Sequence, residues 1–243
     1  MSKVPEKIQY RYEQKFVFQQ KSPAFVEGIV ETHPADFHEI FKQRKVNNIY
    51  FDTPELSYYS DHKENKSNIQ KVRIRWYGDA FGQILHPILE FKIRDGELRI
   101  KKSYALPKFN IEKGYRSKQI NEVLAKANLP DSVYNEVRNL EARLLNTYLR
   151  RYYRSFNSHY RFTIDQELEY IQFLAQENSF LNKEIDPDLV ILELKFAPEF
   201  IKEASFIAEN LPSQSNDFSK YVNGMEKTYS PAILSNGKEQ YLK

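Results

Sequence analysis

The sequence contains no cysteine, which excludes disulfide bonds and thiolate metal sites and is typical of a reducing compartment. No stretch approaches the roughly 18 consecutive apolar residues of a membrane-spanning helix, and the first residues, MSKVPEKIQYRYEQKF, lack the apolar core of a signal peptide. We therefore expect a cytoplasmic protein with no membrane span in this chain.

The chain also has little net charge of either sign. Charged residues make up 28% of the 243 residues, yet the formal net charge is only +3. Such a small net charge does not indicate a nucleic acid or a membrane surface as the partner, so an anion site would have to arise from local clustering. The sequence shows no internal repeat and no low-complexity linker. We expect one α+β domain over residues 1–243, with a core from about 8 to 225.

Charged and apolar residues alternate along both arms of a predicted hairpin, Lys71 to Arg94, which reads KVRIRWYGDAFGQILHPILEFKIR. A period of two places the charged side chains of each arm on one face and the apolar side chains on the other. Gly78 and Gly82 supply the turn. The charged residues that share a face are Arg73 and Arg75 on the first arm and Glu90, Lys92 and Arg94 on the second.

The same alternation recurs in other segments and predicts about eight strands in all. The further strands are predicted at residues 8–18, 45–53, 97–106, 147–156, 159–171 and 189–197. Polar residues at every second position on them include Arg11, Glu13 and Lys15; Arg150, Tyr152 and Arg154; Arg161, Thr163, Asp165 and Glu167; and Glu193 and Lys195.

Helical spacings and breaker residues predict the remaining elements. Helices are predicted at 22–31, at 34–44, twice within 116–145, at 199–210 and around 217–224. In the second of these, Phe37, Ile40 and Phe41 fall at i, i+3 and i+4. Residues 55–68 form a polar loop or short helix, and the tail beyond 224 is predicted to be loosely ordered.

Two architectures fit strands with one charged face. One is a sheet or sandwich whose charged side faces water. The other is a closed eight-stranded antiparallel barrel, just wide enough for side chains or a narrow ligand. A bore lined mainly by Arg and Lys would need an anionic ligand, because buried like charges are costly. A few carboxylates inside would suit a divalent cation. The pattern alone leaves both architectures open.

Eight segments, taken in order, resemble the VTC domain, the polyphosphate polymerase module of the vacuolar transporter chaperone family and a branch of the triphosphate tunnel metalloenzymes (CYTH-like superfamily). They are RYEQKF (11–16), NIYFDT (48–53), KVRIRWYG (71–78), LEFK (89–92), RYYRSF (151–156), RFTIDQEL (161–168), LELKF (192–196) and FSKYVNG (218–224). The resemblance implies an eight-stranded antiparallel tunnel with helices packed outside. It also implies transfer of the γ-phosphate of ATP onto a growing polyphosphate chain with a divalent metal, Mn²⁺ or Mg²⁺.

The resemblance assigns roles to particular residues. The catalytic residues that bind the reacting phosphates would be Arg73, Arg75, Lys92, Arg154 and Arg161. Further phosphate-binding residues would be Lys15, Tyr152 and Lys220, and the metal ligands Glu193 and Glu90. Two positions depart from the pattern. Arg11 replaces the first glutamate of the superfamily's E-x-E-x-K signature, and Asp217 stands where the family often has a lysine.

Several alternatives stay open at this stage. The expected ligands are ATP or triphosphate and polyphosphate, but the same residues suit a triphosphate hydrolase or a non-catalytic polyphosphate-binding module. Glu193 is also consistent with a simple ion pair to Lys195. Asp165 and Glu167 could bind a second metal or pair with tunnel bases. Asp52 fits an acidic metal site and turn chemistry equally well.

Overall fold

A computed structural model describes residues 9–95, 98–213 and 216–239. The elements in the first half of the chain are β1 (Gln9–Gln19), α1 (Pro23–Glu31), β2 (Phe37–Asp52), α2 (Ser57–Lys63), β3 (Asn68–Tyr77), β4 (Gly82–Ile84), β5 (Ile88–Asp95), β6 (Leu98–Ala105), β7 (Phe109–Ile111) and β8 (Tyr115–Arg116). The elements in the second half are α3 (Ser117–Lys126), α4 (Asp131–Val137), β9 (Glu141–Ser155), β10 (Tyr160–Gln172), β11 (Glu177–Asn178), β12 (Glu184–Asp186), β13 (Leu189–Phe196), a 3-10 turn (Pro198–Phe200), α5 (Ile201–Glu209), α6 (Lys220–Thr228) and α7 (Pro231–Glu239).

Eight strands close into an antiparallel ring in the order β13–β1–β6–β5–β3–β2–β9–β10, and β10 pairs back to β13. The short strand β12 adds to β10 outside the ring. Closure turns one face of every strand inward, so the second of the two architectures is confirmed. The predicted eight-stranded antiparallel tunnel is the observed fold.

The outward faces of the strands form the core with the helices. On one side, Val72 and Ile74 of β3 share a buried cluster with Ile120 of α3 and Val137 of α4. On another side, helices α1 and α5 cover outward residues of β10 and β13, including Phe162 and Leu192. The period of two therefore sorts apolar side chains to the helices and charged side chains to the bore.

Helix α6 packs across one end of the ring. Ser219 caps its first turn by accepting a hydrogen bond from the Val222 amide. Gly224 lies directly against Leu144 of β9 and Tyr170 of β10, where no side chain would fit. This close approach places Lys220, at the start of the helix, against the bore.

Three predicted elements are wrong. Residues 37–44 belong to the long strand β2 rather than to a helix, because register shifts at Glu39, Phe41 and Arg44 interrupt the strand alternation and mimic a helical spacing. Strand β9 begins at Glu141, so residues 141–145 are not helical. The chain beyond 224 continues in α6 and then α7. Within the described residues, no helix combines the length and apolar character needed to cross a bilayer.

Candidate active site

Opposite charges face each other at several positions inside the ring. Arg73 of β3 lies opposite Glu90 of β5, and Arg150 of β9 lies opposite Asp165 of β10. On strands β1 and β13, Lys15 is paired with Glu193 and Glu13 with Lys195. Such cross-strand pairs stabilise a sheet, and they fix the orientation of the buried bases.

Like charges also face each other, which is unfavourable in a sheet without a compensating anion. The pairs of bases that face each other include Lys71 with Lys92, Lys92 with Lys101, Arg94 with Arg99, Arg11 with Arg99, Arg44 with Arg150, and Arg154 with Arg161. Their positions on adjoining pairs of strands concentrate positive charge along the bore. The inner face is therefore built to meet an anion.

One cavity, here called the main cavity, collects most of these bases. Of the residues that the structure describes, eleven Lys and Arg residues and three acidic residues line it. Of the residues predicted from the sequence, it contains Lys15, Arg73, Arg75, Lys92, Lys220 and Glu193. It also contains bases to which the sequence assigned no role: Arg11, Lys71, Arg94, Arg99, Lys101 and Arg150. Each lies at an alternate position beside a charged or polar residue of the same strand, and this spacing could have predicted that it faces the bore.

The guanidinium groups of Arg73 and Arg75 are held in place before any ligand binds. Arg73 donates to Glu90 Oε2 from Nε at 2.8 Å and from Nη2 at 2.7 Å. Arg75 donates from Nε to Asn48 Oδ1 at 3.1 Å. Burial would lower the pKa of Arg73, but Glu90 raises it above its usual value, so this base stays charged.

Glu193 lies at the centre of a buried network of charges. Its Oε2 accepts from Lys195 Nζ at 2.5 Å and from Arg150 Nη2 at 3.1 Å, and its Oε1 accepts from Lys220 Nζ at 3.2 Å. Burial would raise the pKa of Glu193, but these bases hold it well below its usual value. Asp165 accepts from the same Arg150 and is ion-paired with Lys220. Of the two hypotheses for Asp165, a second metal site or pairing with bases of the tunnel, the structure shows the pairing.

Arg154 and Arg161 lie apart from the main cavity. They line a second opening, the arginine mouth, together with Arg11, Lys195 and Phe200. Because neighbouring strands are antiparallel, the start of β10 with Arg161 and the start of β3 with Lys71 are at opposite ends of the ring. Burial and the nearby Arg11 and Arg154 lower the pKa of Arg161. Arg11 lines both spaces and links them.

Two predicted residues have surroundings different from those expected. Tyr152 does not line the main cavity; its ring packs edge-on against Phe41 at 5.7 Å and beneath the Arg44 guanidinium. Glu167 does not share the inward face with Asp165, because a register shift between β9 and β10 places it, with φ of 53°, at an exposed bulge.

The carboxylates of the bore differ in how well they fit a metal ion. Both oxygens of Glu90 are engaged, by Arg73 on one side and Lys101 on the other. Glu13, by contrast, makes only long ion pairs with described residues, at 3.6 Å to Lys92 and to Arg11. Burial and the nearby charge of Glu193 act to raise the pKa of Glu13, but Lys92 and other bases hold it well below its usual value, so both carboxylates are charged and close together. The geometry therefore favours Glu13 over Glu90 as a metal ligand. Glu193, whose two oxygens accept from Lys195, Arg150 and Lys220, would have to release one of these bases to bind a metal.

A metal at this position would need oxygens from a ligand as well. Among the described residues, no group of three or more His, Asp or Glu side chains could hold a metal ion. Mg²⁺ is usually bound through one or two carboxylates, waters and substrate phosphates, which is the set that Glu13, Glu193 and a phosphate chain would provide. The residues present fit a metal that arrives with its phosphate ligand.

Asp52 belongs to the scaffold rather than to the bore. Its carboxylate is fully buried and accepts hydrogen bonds from the Thr53, Tyr58 and Tyr59 amides and from the Tyr221 hydroxyl. Burial raises the pKa of Asp52 to about 6, although these donors oppose the shift. Of the two hypotheses for this residue, an acidic metal site or a residue that hydrogen-bonds the backbone of the turn, the structure shows the second.

A closed antiparallel ring whose bore is lined by bases, with a few carboxylates among them, defines a tunnel protein for polyanions. The VTC domain family matches residues 10–229, and the chain therefore belongs to this family. The resemblance noted in the eight sequence segments is thereby confirmed. Membership places the chain in the broad class of tunnel enzymes that act on triphosphate or polyphosphate.

Similarity to other proteins is otherwise distant. No curated protein sequence matches the chain significantly. Among solved structures, a candidate adenylyl cyclase from Hippeastrum with a dominant triphosphatase activity is 16% identical, with a TM-score of 0.48 over 90% of this chain and 98% of that chain. The PH1819 protein from Pyrococcus horikoshii OT3 is 14% identical, with a TM-score of 0.47 over 89% and 99%. A candidate adenylate cyclase from Vibrio parahaemolyticus is 12% identical, with a TM-score of 0.49 over 88% and 99%.

Proposed function

We propose that this chain is a metal-dependent polyphosphate polymerase that transfers the γ-phosphate of ATP onto a polyphosphate chain inside the ring. The main cavity carries this proposal, because it combines eleven Lys and Arg residues with the buried Glu193. The like-charged pairs across its strands repel each other, and a bound anion would relieve that repulsion. A phosphate chain has the charge density and the narrow shape to do so.

Arg73 and Arg75 would bind the transferred phosphoryl group. Phosphoryl transfer proceeds through a loose transition state with charge spread over the equatorial oxygens, and fixed cations stabilise that charge without reorganising. The hydrogen bonds of Arg73 with Glu90, and of Arg75 with Asn48, hold both groups in such a fixed arrangement. Lys92 and Lys220 add charge from neighbouring walls of the same cavity.

Glu193 and Glu13 would hold the divalent metal. When bound, Mn²⁺ or Mg²⁺ would supply further neutralisation of the phosphate oxygens and of the leaving group, ADP. Lys195, which donates to Glu193 at 2.5 Å, would then be released toward the phosphate chain. No side-chain nucleophile is required, because a terminal phosphate of the chain is itself the acceptor.

The arginine mouth would hold the distal part of that acceptor chain. Arg154 and Arg161 face each other there across β9 and β10. Guanidinium groups bind phosphate oxygens two at a time, and an occupied site would relieve the repulsion between the two side chains. This assigns Arg154 and Arg161 to chain binding at the end opposite to Lys71.

Incubation of the purified protein with ATP and Mn²⁺, followed by a gel that resolves phosphate chains, tests the proposal. Ladders of polyphosphate are the expected product. Free phosphate without ladders would indicate a hydrolase, and unchanged ATP with retained tripolyphosphate binding would indicate a binding module. Either result would overturn the polymerase proposal.

Substitutions connect the activity to this cavity. Arg75→Ala and Glu193→Ala should each abolish synthesis, because they remove a phosphoryl-binding base and a metal ligand. Arg138→Ala is the matched control, since Arg138 is exposed on the surface after α4. Synthesis that survived both tunnel substitutions, in variants folded by circular dichroism, would mean that the reaction takes place elsewhere.

A further inference from the structure

Asp217 is an acidic residue at the rim of the otherwise basic main cavity. It lines that cavity, and its side chain is 46% exposed. Its Oδ2 accepts a hydrogen bond from Arg94 Nη1 at 2.7 Å. Arg94 is itself fixed, because its Nη2 donates to Asn65 Oδ1 at 2.8 Å and to the Lys66 carbonyl at 2.7 Å. A carboxylate thus occupies the place where a ligand phosphate would meet this base.

The neighbouring residue engages a second base of the cavity. Lys15 Nζ donates to the carbonyl oxygen of Phe218 at 2.5 Å. Burial would raise the pKa of Asp217, but the hydrogen bond from Arg94 and the charge of Lys15 hold it below its usual value. Residues 217 and 218 therefore present an anion and a carbonyl to two bases that line the same cavity as Arg73 and Arg75.

We propose that Asp217 is a specificity-determining residue, the protein's own anion at this end of the tunnel, which limits how many ligand phosphates the main cavity accepts. This inference rests on the proposed function, since it concerns the same cavity. A short phosphate ligand bound between Arg73 and Lys220 leaves the contact of Asp217 with Arg94 intact. A longer ligand that extends to this end must displace the carboxylate or lie beside it.

The two ends of the tunnel are consequently unequal. Arg154 and Arg161 lie together at the arginine mouth, and none of the described residues that line it is Asp or Glu. At the end with Lys71, Asp217 repels additional phosphates. A long phosphate chain therefore gains more free energy by extending through the arginine mouth than past Asp217.

A charge series at position 217 tests this inference by calorimetric titration with pyrophosphate and with tripolyphosphate at low salt. Repulsion between unit charges at roughly 6 Å in an effective dielectric of about 40 corresponds to about a factor of ten in affinity. Asp217→Asn should therefore bind tripolyphosphate about tenfold more tightly than the unmodified chain. Pyrophosphate should gain much less, and Asp217→Lys should extend the same trend.

Two further measurements separate electrostatics from structure. The gain should shrink as salt is added, because screening weakens the interaction of the exposed carboxylate. Asp131→Asn, which makes the same charge change at an exposed residue of α4, should leave both affinities unchanged. Thermal melting of each variant establishes that it is folded.

The results distinguish this inference from the proposed function. If the unmodified chain binds tripolyphosphate and Asp217→Asn binds it no more tightly, the role of Asp217 is refuted while the tunnel proposal stands. If all folded variants fail to bind tripolyphosphate, the proposed function is refuted and this inference with it.

Discussion

Replacement of Gly224 by alanine should destabilise the protein, because helix α6 and the ring touch at this residue. A Cβ atom built on Gly224 would lie 2.6 Å from Tyr170 Cδ1 and still closer to a methyl carbon of Leu144. Leu144 and Tyr170 are fully buried and cannot move aside without disturbing their own neighbours. Overpacking of this kind costs about 1–3 kcal/mol. The melting temperature should fall by roughly 2–4 °C for each kcal/mol lost.

The same substitution should weaken phosphate binding, because Lys220 lies one turn earlier on the helix. A helix displaced from β9 and β10 carries Lys220 away from Glu193, which it contacts at 3.2 Å. Gly28→Ala is the matched control, since a Cβ atom added to this residue of α1 would meet no atom of the described residues within 4 Å. Alanine is favoured over glycine inside a helix by about 0.8–1 kcal/mol, so this control should melt at the same temperature or higher. A Gly224→Ala variant as stable as the unmodified chain would refute the close approach of α6.

Three other predictions concern the scaffold, the buried charges and the ligand. Tyr221→Phe removes the hydroxyl that donates to Asp52 at 2.5 Å and should lower the free energy of unfolding by about 1.5–3 kcal/mol in urea titrations; a loss near zero would contradict this bond. Burial lowers the pKa of Lys195 to about 8, against about 10.4 in an unfolded chain. Between pH 8 and about 10.4 the unfolded state binds more protons than the folded state, so this residue makes the free energy of unfolding rise with pH by about 3 kcal/mol in total. Lys195→Met should remove that rise. Plots of unfolding free energy against pH that run parallel for the two proteins would refute the prediction. Tripolyphosphate affinity should fall steeply with added salt, since exposed bases such as Arg161 are screened; salt-independent affinity would argue against binding in the bore.

The period of two predicted the strands that obey it without interruption. In β3 and β5, Arg73 and Glu90 were placed on the inward face, and they face each other in the ring. The prediction failed where the backbone departs from that period. In β2, register shifts interrupt the alternation, and the i, i+4 spacing of Phe37 and Phe41 was interpreted as helical. In β10, a bulge turns Glu167 outward. Bulges depend on partner strands, which local sequence does not specify.

The grouping of the site residues depended on contacts between distant segments. Alternation placed Arg154 and Arg161 on charged faces, but only the ring closure shows that they lie at the end opposite to Lys71. Strands β1 and β6 are far apart in the sequence, so the sequence pattern could not place Arg11 opposite Arg99. The pairing of Arg73 with Glu90 could be predicted from the sequence, because both residues belong to one hairpin.

The order of strands in the ring also constrains how the chain can fold. Strand β1 lies between β6 and β13, so the first strand of the ring in chain order has both edges paired only when the last strand of the ring is in place. Until residues 189–196 have left the ribosome, β1 and β10 each expose a row of unpaired backbone groups, which are templates for aggregation. A chain that stops short of β13 should therefore be insoluble rather than partly active. Closure of the ring and burial of Glu193 are then acquired in the same late step of synthesis, and Lys220 joins them when α6 packs against β9 and β10.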